Sequence, residues 1–304
     1  MSGAAIIPGN HDGVHLGHRA LVAAARAHAG PRGLRTVALT FDPHPLAVLA
    51  PERAPASITS VARRRELLRD AGCDEVVVAR FDAAYAAQPA DLWVEDALAG
   101  ALGARAVVVG PDFRFGRGGA GSIARLRELG GSLGFEVVEV PPVVLASGRV
   151  SSTRVRQALG AGEVRLAAEL LGRVHEVDGR VVEGHRRGRT IGVPTANLDP
   201  DPVLVPADGV YAVLVRLLEP AGPRFFGVAN LGVRPTFAAG RSVEAHLLDF
   251  EGDLYGARLR VGFVARLRGE QKFDSVASLR AQVEEDVRAA RALFAHEETT
   301  WSSI

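Results

Sequence analysis

Up to about residue 160, short unbroken apolar runs alternate with longer segments whose apolar positions recur every three or four residues. The runs at 4–7, 35–41, 75–80, 106–110 and 136–140 read as strands. Most lack inside–outside alternation, which is the pattern of parallel strands covered on both faces. The segments 17–29, 60–71, 90–102 and 122–133 are long enough to serve as crossover helices. Together they predict a doubly wound α/β domain that binds ligands where its strands end.

From about residue 172 the rhythm changes. Strand patterns at 173–183, 211–218, 224–231, 242–248 and 258–265 are separated by Gly, Pro and Asp turns, which predicts an antiparallel β-barrel or sandwich. A helix starting near Ser275 closes the chain, with Val276, Leu279, Val283, Val287, Ala290 and Phe294 in one apolar stripe predicted to cap the barrel. Residues 158–171 read as a short helical bridge, 116–121 as a Gly-rich loop, and no internal repeat is present. The predicted domains are therefore 1–169 and 172–304.

Composition narrows the possibilities. A length of 304 residues suits two domains, and 47% hydrophobic content suits folded cores. A formal net charge of +1 gives no whole-molecule case for binding nucleic acid. Cys73 is the only cysteine, which excludes an intrachain disulfide framework and a cysteine zinc cluster and leaves a packed thiol as the expectation. Lys272 is the only lysine, so there is no Walker-A loop. Without an Arg-rich leader, a signal-peptide core or an apolar run of bilayer length, the expectation is a cytoplasmic protein with no membrane partner.

The candidate chemistry begins at Gly9-Asn10-His11-Asp12-Gly13-Val14-His15-Leu16-Gly17-His18. This segment leaves the first strand and enters the first helix, so His15 and His18 stand at a helix N-terminus. Free backbone N–H groups and the positive dipole end favour an anion there, and two imidazoles add donors where charge grows during phosphate chemistry. His44, between Pro43 and Pro45 after the second strand, is held rigidly at the same sheet edge; a bulky polar turn is the alternative. In Ser151-Ser152-Thr153-Arg154-Val155-Arg156, capping alone explains the hydroxyls. Arginines in a first helical turn oppose the dipole and make more sense beside a phosphate. The loop Asp112-Phe113-Arg114-Phe115-Gly116 can stack a heterocycle or form a packed turn.

In the second half, Gly184 to Asn197 is a basic loop punctuated by Gly184, Gly188 and Gly192, with Arg189 among its cations. Thr195 and Asn197 offer two neutral oxygens suited to Mg²⁺ already bound to nucleotide phosphates, although a polar turn shaped by Pro194 explains the same residues. Glu244 is a carboxylate within a strand. Facing a barrel mouth it would make a general base; on an edge strand it would only discourage pairing.

The GxxDGxHxGH, FDPHP, DFRFG and SSTRVR segments, in this order, resemble the adenylyltransferase half of the bacterial bifunctional riboflavin kinase/FMN adenylyltransferases, the prokaryotic FAD synthetases. The PTAN stretch at residues 194–197, the pattern at Asn230 to Phe237 and VEAHLLD at 243–249 resemble the kinase half. The resemblance implies a Rossmann-like nucleotidylyltransferase domain followed by a β-barrel kinase domain with a C-terminal helix. It implies that ATP phosphorylates riboflavin to FMN and that a second ATP adenylylates FMN to FAD, with Mg²⁺ assisting. Under it His15, His18 and His44, with Arg154 or Arg156, stabilise charge. Gly9, Asn10, Asp12, Gly13, Gly17, Asp112, Ser151, Ser152 and Thr153 bind nucleotide and flavin. Thr195 and Asn197 hold the metal, Glu244 is the base, and Gly184, Gly188, Arg189, Gly192 and Pro194 belong to the ATP loop. Lys272 reads as a solvated surface charge. Departures are Pro8 for an apolar residue, His11 and Val193 for phenylalanine, and His185 for aspartate. They leave open a specialised paralogue with an impaired adenylyltransferase module or acting on a modified flavin or other nucleotide substrate, and a noncatalytic flavin or nucleotide sensor as the reading of another class.

Overall fold

The computed structural model describes residues 3–183, 194–233 and 241–296. The chain divides into two compact units, Met1–Ser152 and Thr153–Ile304.

In the first unit a parallel sheet runs in the order β3-β2-β1-β4-β5, with β1 Ala4–Pro8, β2 Arg35–Asp42, β3 Glu75–Arg80, β4 Ala104–Val109 and β5 Glu136–Glu139. Successive residues of β1 feed opposite cores. Ala4 and Ile6 join Val37, Leu39 and Val107 against Leu98 and Leu126, while Ala5 and Ile7 join Ala38 and Val108 against Val22 and Leu68. Both faces are thus covered, which is why the runs are unbroken. Each buried isoleucine contributes about 1.5–3 kcal/mol relative to exposure. β5 departs from the pattern: it is the edge strand, half exposed, with Glu136 and Glu139 at its ends.

The helices of this unit are α1 Leu16–Ala29, α2 Pro45–Leu49, α3 Val61–Asp70, α4 Ala83–Ala86, α5 Ala90–Trp93, which continues in wider turns over Val94–Ala101, and α6 Ile123–Leu133. Cys73 is a buried free thiol whose pKa burial pushes up to about 12. The chain steps outward from β1 through β2 to β3 and then returns to the other side with β4. Strand order therefore reverses between β1 and β4, and the carboxyl ends of these strands flank the crevice where such folds bind ligands. A small hairpin, β6 Val144–Leu145 and β7 Gly148–Arg149, precedes the unit boundary.

The second unit contains α7 Ser152–Ala161 from Thr153 onward, then α8 Val164–Leu171 and a closed barrel. Six strands close in the order β10-β11-β12-β9-β8-β13: β8 His175–Val182, β9 Ala196–Pro200, β10 Gly209–Glu219, β11 Arg224–Val233, β12 Arg241–Leu247 and β13 Arg258–Arg268. The sequence pattern anticipates five of them. β9 reads Ala-Asn-Leu-Asp-Pro, composed largely of turn-type residues, and is a strand because β12 and β8 pair with it on either side.

Cross-strand register separates the two faces. Tyr211, Ala229, Ala245 and Val243 lie on a face buried all round the barrel, the interior. The opposite face carries the terminal helix, α9 Val276–His296. Ala290 and Phe294, with Val287 and Leu293, lie against Val210, Ala212, Val228 and Val264. The predicted helix cap is present and lies over the outward-facing side chains of these strands, with Val276 at its start 67% exposed. The Arg268 guanidinium grips Asp286 on α9 with hydrogen bonds of 2.8–3.2 Å.

Candidate functional site

The loop between β1 and α1 turns back on itself through positive φ at His11 (49°), Gly13 (83°) and Val14 (42°). A β-branched residue in that region is strained, and burial of Val14 at 1% exposure helps hold it there. Asp12 pins the turn from beneath. Its carboxylate accepts hydrogen bonds from the Ile58 amide (2.9 Å) and the Thr59 amide (3.1 Å), and its carbonyl accepts one from Ser152 Oγ (3.0 Å). Arg64, also buried, lies 3.9 Å from the same carboxylate and donates to Thr40 Oγ1 and the Phe41 carbonyl. Asp12 is thus committed inward and shapes the loop.

The turn delivers His15 to the N-cap of α1. Its Nδ1 accepts from the His18 amide at 3.3 Å. The neutral ring consequently carries its proton on Nε2. His15 and His18 stack face to face, with centroids 3.7 Å apart and planes within 13°, as expected for neighbours three apart at a helix start. Gly17 leaves room for this stack, because a β-carbon there would lie 3.0 Å from His15 Cε1.

His44 repeats the device one strand over. It caps α2, its Nδ1 accepting from the Leu46 amide at 3.1 Å, which again leaves Nε2 with the proton. β2 pairs directly with β1, so His44 belongs to the same carboxyl edge as Gly9 and Asn10. The Gly9 amide donates to the Leu39 carbonyl, and the Asn10 carbonyl accepts from Thr40 Oγ1.

On the far side of β1, the loop after β4 resolves one open question. Phe115 is 5% exposed, joins the core beside Trp93 and stacks loosely on Phe113, so for Phe115 the packed turn prevails. Asp112 is exposed and ion-paired to Arg149. Ser151 and Ser152 enter α7, which carries Thr153, Arg154 and Arg156 in its first turns.

The second site lies on three neighbouring barrel strands. Asn197 on β9, Glu244 on β12 and Asn230 on β11 stand directly opposite one another in register. Directly opposed residues share a face, and here it is the outer wall, not a barrel mouth. Ser242 Oγ donates to Glu244 Oε1 at 3.2 Å. Just before β9, the Pro194 carbonyl accepts from His246 Nδ1 at 2.8 Å. Sequence reasoning missed this clamp, although His246 follows Glu244 by two residues on the same strand face. Thr195 and Pro194 border a cavity of about 200 Å³ with Val181, Leu247, Phe250 and Tyr255. Gly184, Gly188, Arg189 and Gly192, with His185 and Val193, fall outside the described residues. Lys272 is exposed. Among the described residues there is no cluster of three or more His, Cys, Asp or Glu that could hold a metal.

The FAD synthetase family model matches residues 1–154 and the riboflavin kinase model matches residues 171–294. A bifunctional riboflavin kinase/FMN adenylyltransferase of Escherichia coli strain K12 is 40% identical over 296 residues, covering 97% of this chain and 94% of that protein. One of the same name from Pseudomonas fluorescens is 42% identical over 289 residues, covering 94% and 92%. A crystal structure titled as a macrolide-efflux protein from Streptococcus pneumoniae superposes with a TM-score of 0.87 at 33% identity, covering 95% of this chain and 94% of that one. Among the described residues of this chain, no helix is long and apolar enough to cross a membrane. With both family models matched in sequence order, and relatives aligned nearly end to end, the chain belongs to the bifunctional riboflavin kinase/FMN adenylyltransferase family.

Proposed function

We propose that this protein phosphorylates riboflavin to FMN with one ATP and adenylylates FMN to FAD with another, releasing pyrophosphate. The observation that carries this reading is the coexistence of two built sites, each in a segment matched by its own family model. We assign adenylyl transfer to residues 1–169 and phosphorylation to residues 172–304.

At the first site an FMN phosphate oxygen attacks the α-phosphorus of ATP as the bond to the β-phosphate bridge breaks. Nε2–H groups of His15 and His44, the His18 ring and the α1 N-terminus supply donors for the charge that develops, with Arg154 or Arg156 as further partners. Gly9, Asn10, Gly13 and Gly17 keep the backbone open to phosphate, while Asp12 acts through the loop it holds.

At the second site the terminal ribityl hydroxyl of riboflavin attacks the γ-phosphorus, ADP leaves, and Glu244 accepts the hydroxyl proton. Asn197 and Thr195 are neutral oxygen donors of the kind Mg²⁺ takes when it arrives on nucleotide phosphates, and they would hold that ion. Bound there, it would neutralise phosphate charge. We place the enzyme in the cytoplasm, a setting that suits a chain whose sole cysteine is a buried free thiol.

The test is to incubate the protein with riboflavin, ATP and Mg²⁺ and separate the flavins by chromatography. FMN followed by FAD is expected. FMN alone would remove the adenylyltransferase assignment, and no conversion at all would overturn the reading.

A further inference from the structure

The loop after β1 carries a third imidazole that the chemistry above does not use. His11 is 2% exposed, and its Nε2–H donates to the Ile7 carbonyl at 3.0 Å. Its ring stands at 85° to the His18 ring with centroids 5.1 Å apart, an edge-to-face contact. Gly9 lets it sit there, since a β-carbon at that position would come within 2.9 Å of His11 Cε1. Its own backbone is fixed by the tight turn, whose Val14 amide donates to the His11 carbonyl at 3.0 Å. His11 Nδ1 is buried without a hydrogen-bond partner, so what the ring gives its neighbours is shape.

We infer that His11 is a positioning residue for adenylyl transfer: its ring, wedged at right angles against His18, keeps the His18 imidazole in its stack on His15. The inference rests on the adenylyl transfer proposed for this site. Burial drops the His11 pKa to about 4, and the nearby Arg64 charge pushes the same way, so the wedge stays neutral while His18 faces phosphate charge. A charged wedge would compete with His18 for that anion. The stack needs such support because two imidazoles at 3.7 Å gain little by themselves and repel when both are protonated.

Two variants of the full-length protein separate shape from hydrogen bonding. His11→Leu fills the volume but removes the ring; His11→Phe keeps a ring edge and removes the bond to Ile7. Expected is a fall of about tenfold or more in kcat for FAD formation in His11→Leu, with KM for ATP changed less than about twofold, because a misplaced catalytic group costs rate rather than ground-state binding. His11→Phe should recover kcat to within about threefold of the native value. Riboflavin phosphorylation by the same preparations should be unchanged. A His11→Leu protein as active as the native one overturns the inference, and so does a folded His11→Phe protein as impaired as His11→Leu. If the leucine variant does not fold, the phenylalanine variant decides alone: near-native kcat supports the wedge, and a tenfold loss in folded protein overturns it. Failure of the native protein to make FAD would instead strike the underlying reading.

Discussion

His15 and His44 each spend Nδ1 on a helix N-terminal amide, so each has a proton fixed on Nε2. Asparagine is an equally good N-cap but carries no donor at the Nε2 position. His15→Asn and His44→Asn should therefore keep the melting temperature of the first unit within a few degrees while FAD formation falls by about a hundredfold, the usual loss of one transition-state donor. A calorimetric scan beside a rate assay checks both halves of this expectation. His11 brings a pH dependence to stability. Its folded pKa, about 4, lies below the ordinary 6.5, so between these values the unfolded chain binds the proton and stability is lost as pH falls through that window. The full effect is on the order of 3 kcal/mol. The melting temperature of His11→Phe, measured from pH 7 to pH 4.5, should consequently decline less steeply than that of the native protein. Little of this was legible in the sequence. Spacing put His15 and His18 at a helix start, but which nitrogen faces outward depends on a cap that spacing does not encode, and the inward use of Asp12 depends on amides 46 and 47 residues away.

At the level of elements, hydrophobic runs reported the buried strands well because burial on both faces leaves few polar positions. They failed where pairing, not composition, makes the strand. β9 shows this: Asn197 and Asp199 interrupt its apolar positions, and its register against β12 places Asn197 opposite Glu244. The same limit explains Glu244 itself, since alternation gives two faces but only ring closure says which is outside. The segment entering β9 is tied to β12 by the His246–Pro194 hydrogen bond. Removing it in His246→Ala frees Thr195 and Pro194 at the strand's start. A neutral hydrogen bond is worth about 1 kcal/mol, so KM for ATP in riboflavin phosphorylation should rise roughly fivefold. FAD formation from supplied FMN should not change. Steady-state kinetics with each flavin separately would detect the difference.

At the scale of the whole molecule, each unit has a core of its own: two apolar layers on the parallel sheet in one, and a barrel with a helix on its outer wall in the other. Independent cores let a substitution in one site leave the other site's geometry intact, because side chains with no shared partners act additively and each site is built on its own core. Glu244 is half-exposed on the barrel wall and its neighbour Ser242 remains hydrated if the carboxylate is lost, so Glu244→Ala should fold. It should lower FMN formation from riboflavin by about a hundredfold or more, the contribution of a positioned base, while conversion of supplied FMN to FAD stays within about twofold of native. His18→Ala should do the converse and let FMN accumulate from riboflavin with FAD held back. The pair of variants, assayed on both substrates by flavin chromatography, thus makes a crossed pattern. Parallel loss of both activities in either variant, with both unfolding transitions retained, would mean that the two reactions share a site, and the division of labour between sheet edge and barrel wall would have to be abandoned.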